Sequence, residues 1–154
     1  MADVVDKATR SRMMAGIRGR DTQPERIVRS RLHHLGFRFR LHSTAVPGCP
    51  DLVLPKYRAA IFVHGCFWHG HDCALFKWPA TRRAFWRQKI NANRRRDHEV
   101  QSKLREAGWR QLTVWECAIR GGGEKAILRA TTSTARWLKS ATNQSAEIRG
   151  PVRR

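Results

Sequence analysis

The sequence predicts an α/β fold in which helices flank a mixed sheet. Three observations lead there. A capped helix is followed by three short strand-like runs, a long helix and a fourth strand-like run, an alternation that closes around a sheet containing parallel pairs. The clearest runs are apolar and rich in β-branched residues: Leu52-Val53-Leu54, Ala59 to Val63, and Leu112-Thr113-Val114-Trp115. With 154 residues and 41% apolar content, the chain has enough material for one core.

Residues 1–20 are polar, basic and helix-compatible, with Met13, Met14 and Ile17 as scattered apolar points. Thr22-Gln23-Pro24-Glu25 reads as a helix start. Thr22 caps it, Pro24 sits in the first turn, and Glu25 completes a capping box. The helix runs through Ile27, Val28 and Leu32 to Leu35, and Gly36 stops it. Phe37, Phe39 and Leu41 alternate with arginines as in a half-buried strand. Pro47-Gly48-Cys49-Pro50 is a turn, and Pro55-Lys56-Tyr57 joins the next two strands. Thr81 is the expected cap of a long helix ending at Gly108. Gly121-Gly122-Gly123 precedes a last helix near 124–139. The division expected is an arm at 1–20, a main domain at 21–140, and a basic, flexible tail at 141–154.

Lys and Arg number 31 against 12 Asp and Glu, a net charge of +19. That surplus calls for a polyanionic partner, with nucleic acid first. No long apolar run or basic amphipathic anchor argues for a membrane. The polar start, Met1-Ala2-Asp3, is no secretory signal, so the four cysteines fit metal binding in a reducing cytoplasm better than disulfides.

The densest chemistry lies in His64-Gly65-Cys66-Phe67-Trp68-His69-Gly70-His71-Asp72-Cys73. Cys66, His71 and Cys73 offer two thiolates and an imidazole, and Cys117 follows the fourth strand. If the third and fourth strands are parallel neighbours, Cys66 and Cys117 leave the sheet at one edge. Three sulfurs and a nitrogen make a closed, structural zinc site; the alternative is unrelated buried cysteines and a surface histidine. Cys49 is left over as a packed residue.

On the long helix, Trp86, Ile90, Asn93, Asp97, Val100, Leu104 and Ala107 share a face. A carboxylate on that stripe needs a partner, because burying it alone costs several kcal/mol. Asp97 therefore either joins a structural ion pair or faces a cleft and orients a histidine, of which His69 is the best candidate. Asp51 opens a strand after Pro50, where Mg²⁺-dependent nucleases place a metal ligand, and His64 closes the adjoining strand. The usual downstream Glu-x-Lys is replaced by Phe62-Val63-His64. Phe67 and Trp68 are either hydrophobic cover or a wedge between base pairs, with Met13, Met14 and Ile17 entering the opposite groove.

Taken together, these residues resemble the very-short-patch repair endonucleases, bacterial DNA mismatch nicking enzymes. The resemblance is carried by Asp21-Thr22, Pro24-Glu25, Pro47-Gly48, Pro50-Asp51, the Phe62 to His69 block, His71, Cys73, Phe85-Trp86, Lys89-Ile90, Asn93, Arg96-Asp97 and Val114-Trp115-Glu116-Cys117. It spans roughly residues 1–120.

The resemblance implies a restriction-endonuclease-like fold. It implies recognition of a T·G mismatch left by 5-methylcytosine deamination, and a nick 5′ of the thymine giving 3′-hydroxyl and 5′-phosphate ends. By position, Asp51 and the Val63 carbonyl would hold Mg²⁺, and His69 would be the general base with Asp97 as its partner. His64 and Glu25 would support the site, while Cys66, His71, Cys73 and Cys117 hold Zn²⁺. Phe67 and Trp68 would intercalate, Met14 and Ile17 would approach from the other groove, and Lys89 and Asn93 would lie near the mismatch. It further implies a monomer on duplex DNA, mismatch-repair proteins as partners, and a bacterial cytoplasmic, nucleoid-associated location. Gly70 departs from a longer run of histidines. Two rival readings stand beside it: a non-catalytic zinc-stabilised DNA-binding module, and an ordinary restriction endonuclease.

Overall fold

The computed structural model describes residues 21–140 and 143–151. The expected arm, with Met14 and Ile17, lies outside the described residues.

Helix α1 spans Gln23–His34, β1 Arg40–Leu41, β2 Leu52–Leu54 and β3 Ala59–His64. Helix α2 spans Arg83–Glu106, β4 Arg110–Trp115, α3 Glu116–Ile119, α4 Gly123–Lys139 and β5 Ser145–Ile148. The strands lie in the order β1-β2-β3-β4-β5. The first two pairings are antiparallel and the last two parallel, so the sheet is mixed. Among the described residues no helix is long and apolar enough to cross a membrane.

Side-chain alternation divides the sheet into two faces. Leu52, Leu54, Ala59, Ile61, Leu112 and Val114 pack with Val28 and Leu32 of α1 and with Ala130, Trp137 and Leu138 of α4. Val53, Ala60 and Phe62 point the other way, onto Val100 and Leu104 of α2. Both faces are therefore covered, and the central strands read as continuous apolar runs. Ile61 and Leu112 are wholly buried, so truncating either to alanine removes about 2–5 kcal/mol.

Helix α1 begins as the sequence indicates: Thr22 Oγ1 accepts from Glu25 N–H at 3.4 Å. The capping box, however, is half made. The Glu25 carboxylate accepts from Asp21 N–H instead of Thr22 N–H, and its other oxygen is used elsewhere. Gly36 ends the helix with φ +91°, the left-handed conformation that glycine adopts freely.

Three expectations are corrected. The strand expected from Phe37 to Leu41 shrinks to two residues, because Phe37 turns into the core against Tyr57 while Leu41 stays exposed. The expected turn at Pro55–Tyr57 is present, as a 3₁₀ turn. Thr81 is not the cap of α2: the helix starts at Arg83 after a left-handed Arg82 (φ 52°), whose guanidinium lies 4.3 Å from the Phe85 ring. Most consequentially, the expected flexible tail contains β5, paired in parallel with β4 from Gln111↔Ser145 to Val114↔Ile148. Its side chains alternate between exposed and half-buried, with Ala146 and Ile148 packed against the main core. A weakly apolar strand of this kind leaves little mark on composition.

Candidate active site and metal centre

The sheet's alternation decides which side chains can meet. Val53 and Phe62 face α2; two residues on, the same face carries Asp51 at one strand end and His64 at the other. Helix α2 supplies Asp97 one turn before Val100, on the side that packs against this face. Asp51, His64, His69, Asn93 and Asp97 accordingly line one cavity of about 330 Å³.

Within it, His69 Nδ1 lies 2.6 Å from Asp97 Oδ2. The His69 ring stacks on His64 at 3.8 Å with 5° between planes. Burial, then the neighbouring His69, pulls His64 down to about 3, so this ring is neutral at physiological pH. Asp51 Oδ2 accepts from Val63 N–H at 2.7 Å. Burial pushes the Asp51 carboxyl up to about 6; Val63 N–H opposes that rise, the nearby Glu25 charge adds to it, and His42 and His69 oppose it. A carboxylate this desolvated, open to a polar cavity, suits a hard divalent cation that keeps other oxygen ligands of its own.

Beside Asp51 lies a second polar group. Glu25 is 1% exposed, and its Oε1 accepts from His42 Nε2 at 2.5 Å. The same Nε2 stands 4.0 Å from Asp51 Oδ1. Asp21 completes the group, with its carboxylate on Arg29 Nη1 at 2.6 Å.

The loop that carries His69 is fixed from two sides. Asn93 Nδ2 donates to the Trp68 carbonyl at 2.8 Å, and Arg94 donates to the carbonyls of His69 and Gly70. Gly70 has φ +61°, and a Cβ there would stand 2.7 Å from Ile90 Cγ2. Little room is left for a side chain between this turn and α2.

On its other side the loop ends in sulfur and imidazole. The parallel register His64↔Trp115 places Cys66 beside Cys117 two residues later, and Cys117 N–H donates to Cys66 Sγ at 3.3 Å. Cys66, His71, Cys73 and Cys117 bring one ligand atom each to within 4.8 Å of one another. Ligands held about 2.0–2.3 Å from a tetrahedral centre stand about 3.6 Å apart. His71 Nδ1 lies 3.6 Å from Cys66 Sγ and 3.5 Å from Cys117 Sγ. The donor set and spacing fit Zn²⁺. Burial pushes the Cys66 and Cys117 thiols up, and a cation among them would offset that. Trp115 stacks on His71 at 3.9 Å. The segment after β5 straps the loop: Arg149 donates to the Asp72 carboxylate at 2.6 Å and to its carbonyl at 3.0 Å, and Gly150 N–H donates to Cys117 Sγ at 3.3 Å.

Phe67 and Trp68 are half-buried, with ring centroids 5.2 Å apart and perpendicular planes. Trp86 joins them at 5.3 Å from Phe67 and 6.0 Å from Trp68.

The family model described as DNA mismatch endonuclease Vsr matches residues 2–75. Over 138 residues the chain is 49% identical to the DNA mismatch endonuclease Vsr of Escherichia coli, covering 90% of this chain and 88% of that protein. The chain belongs to the Vsr family. It is also 45% identical to a type II nicking enzyme of Xanthomonas oryzae pv. oryzae, over 77% of this chain and 88% of the other. A type II nicking enzyme of Neisseria meningitidis serogroup A is 39% identical over 84% and 90%.

In this Vsr-family chain, Asp51, Val63, His64, His69, Asn93 and Asp97 are brought to one cavity. Glu25 reaches it through His42, whereas Lys89 is exposed on α2. His42 escaped the sequence reading. Its only signal is the hairpin register, in which Arg40↔Val53 and Leu41↔Leu52 extend to His42 opposite Asp51. Trp86 was read as one of a helix face and not as part of the aromatic group.

Proposed function

We propose that this Vsr-family DNA mismatch endonuclease nicks one strand 5′ of the thymine in a T·G mismatch, using Mg²⁺ at Asp51. The observation that carries this reading is the convergence of the His69–Asp97 pair and Asp51 on one cavity. Its fold is restriction-endonuclease-like, with the catalytic domain running from residue 21 through β5 and its strap, and 1–20 as the DNA-contacting arm.

Asp97 occupies His69 Nδ1 and so leaves Nε2 to take a proton from the attacking water. The neutral, stacked His64 adds no competing positive charge beside it. Asp51, with the carbonyl of Val63, would hold the cation; when bound, Mg²⁺ draws charge from the scissile phosphate and stabilises the leaving 3′ oxygen. Zn²⁺ on Cys66, His71, Cys73 and Cys117 is structural and fixes the loop that carries His69. Phe67 and Trp68 wedge into the stack beside the mismatch, at an unstacking cost of a few kcal/mol that faulty pairing lowers. Lys89 and Asn93 lie toward the mismatch and its phosphates. Met14 and Ile17 approach from the opposite groove. The reaction leaves 3′-hydroxyl and 5′-phosphate ends.

Incubation with Mg²⁺ and either matched or T·G-containing duplexes tests the reading. One nick in the thymine strand is expected. A double-strand break on matched DNA, or binding without cleavage, overturns it.

A further inference from the structure

We propose that His42 is a positioning residue of the nicking site, holding Asp51 in place against the buried Glu25. The proposal rests on the reading of Asp51 as a cation ligand.

The antiparallel register of β1 and β2 sets His42 opposite Asp51, and His42 N–H donates to the Asp51 carbonyl at 3.3 Å. From there the imidazole turns inward. Its Nε2–H donates to Glu25 Oε1 at 2.5 Å and stands 4.0 Å from Asp51 Oδ1. Glu25 would be a costly residue to bury without partners. Its second oxygen accepts from Asp21 N–H at 3.0 Å, and Arg29 lies 3.8 Å from the first.

The two residues that grip Glu25 share an unusual backbone. Asp21 has φ 58° and His42 has φ 49°, both in the left-handed region. A simple tie between α1 and the sheet would be made at lower cost by apolar packing. A polar group kept at this position fits a site that must hold a geometry.

The geometry held is that of Asp51. Its Oδ2 is tethered to Val63 N–H, so rotation about that tether moves Oδ1. His42 stands between Oδ1 and a second carboxylate. Without the imidazole, two like charges face each other and Oδ1 swings away from Glu25. Partners behind a metal ligand typically contribute about 10- to 100-fold in metal affinity or activity.

The test uses full-length enzyme carrying His42→Ala, His42→Gln or Asp51→Ala. Mn²⁺ binding is followed by electron paramagnetic resonance on the complex with nicked duplex, beside single-turnover nicking and duplex affinity. His42→Ala is expected to lose about 10- to 100-fold in Mn²⁺ affinity and nicking rate, with duplex affinity unchanged. His42→Gln, whose amide still donates toward Glu25, recovers most of both. Should the alanine variant fail to fold, His42→Asn carries the same test with a side chain too short to serve. Wild-type Mn²⁺ affinity and nicking in His42→Ala, whatever its melting temperature, overturn the proposal. If Asp51→Ala loses both and His42→Ala keeps both, the inference alone falls. If Asp51→Ala keeps both, the reading of Asp51 falls with it.

Discussion

Asp51 sits where the protein opposes its charge, and that opposition has a sign. Its carboxyl is raised to about 6, above its ordinary 3.8. Between those values the native state holds a proton that the unfolded chain has released, so stability falls as pH rises through that window. Above about pH 6 the whole penalty is present. Asp51→Asn, which keeps an oxygen for Val63 N–H, should therefore raise the melting temperature at pH 7 in chelator, by up to about 3 kcal/mol of stability. Thermal melts across pH 4–8 check this: the wild type should gain on the variant as pH falls, and parallel curves would reject it. The same variant should not nick. His69 gives the complementary case. His69→Ala should cut nicking by about 10²–10⁴-fold while leaving duplex affinity nearly intact; a gel-based rate beside a binding isotherm separates the two.

At the scale of elements, the decisive object is the loop from Gly65 to Cys73, anchored on α2 by Asn93 and Arg94 and on the sheet by its cysteines. Cys117→Ser opens the second anchor. Zinc content measured by mass spectrometry should fall, the melting temperature should drop, and nicking should decline although Cys117 lies outside the cavity. A fully loaded, equally stable variant would exclude the structural role. Much of this was legible in residue types. The density of His and Cys marked the loop, and the 4-3-4-3 spacing on α2 put Asp97 on the face where it meets His69. Two things were not legible. His42 reaches Asp51 through pairing between strands, which no local pattern encodes. Ser145–Ile148 joins the sheet by backbone hydrogen bonds, and its alternating, half-exposed side chains look like those of a polar tail. Thr81 misled because a hydroxyl before a helical pattern resembles a cap, whereas the chain enters α2 through a left-handed arginine.

For the whole molecule, charge sets the terms of encounter. A net +19 means that duplex binding should weaken steeply with salt, because each neutralised phosphate releases counterion. Between 50 and 200 mM salt, affinity should fall by about 10³-fold or more if six or more phosphates are engaged. The nicking rate of the bound complex should change far less, since the His69 and Asp97 side chains are largely buried against each other. Fluorescence anisotropy and single-turnover rates measured over one salt series would reveal any disagreement. The strap formed by Arg149 and Gly150 carries a consequence for how the enzyme comes into being. Its partners Asp72 and Cys117 are made earlier in synthesis, so the strap forms only after the residues it closes over. A chain truncated after Ile148 should then surrender zinc to a chelator faster than the full-length protein.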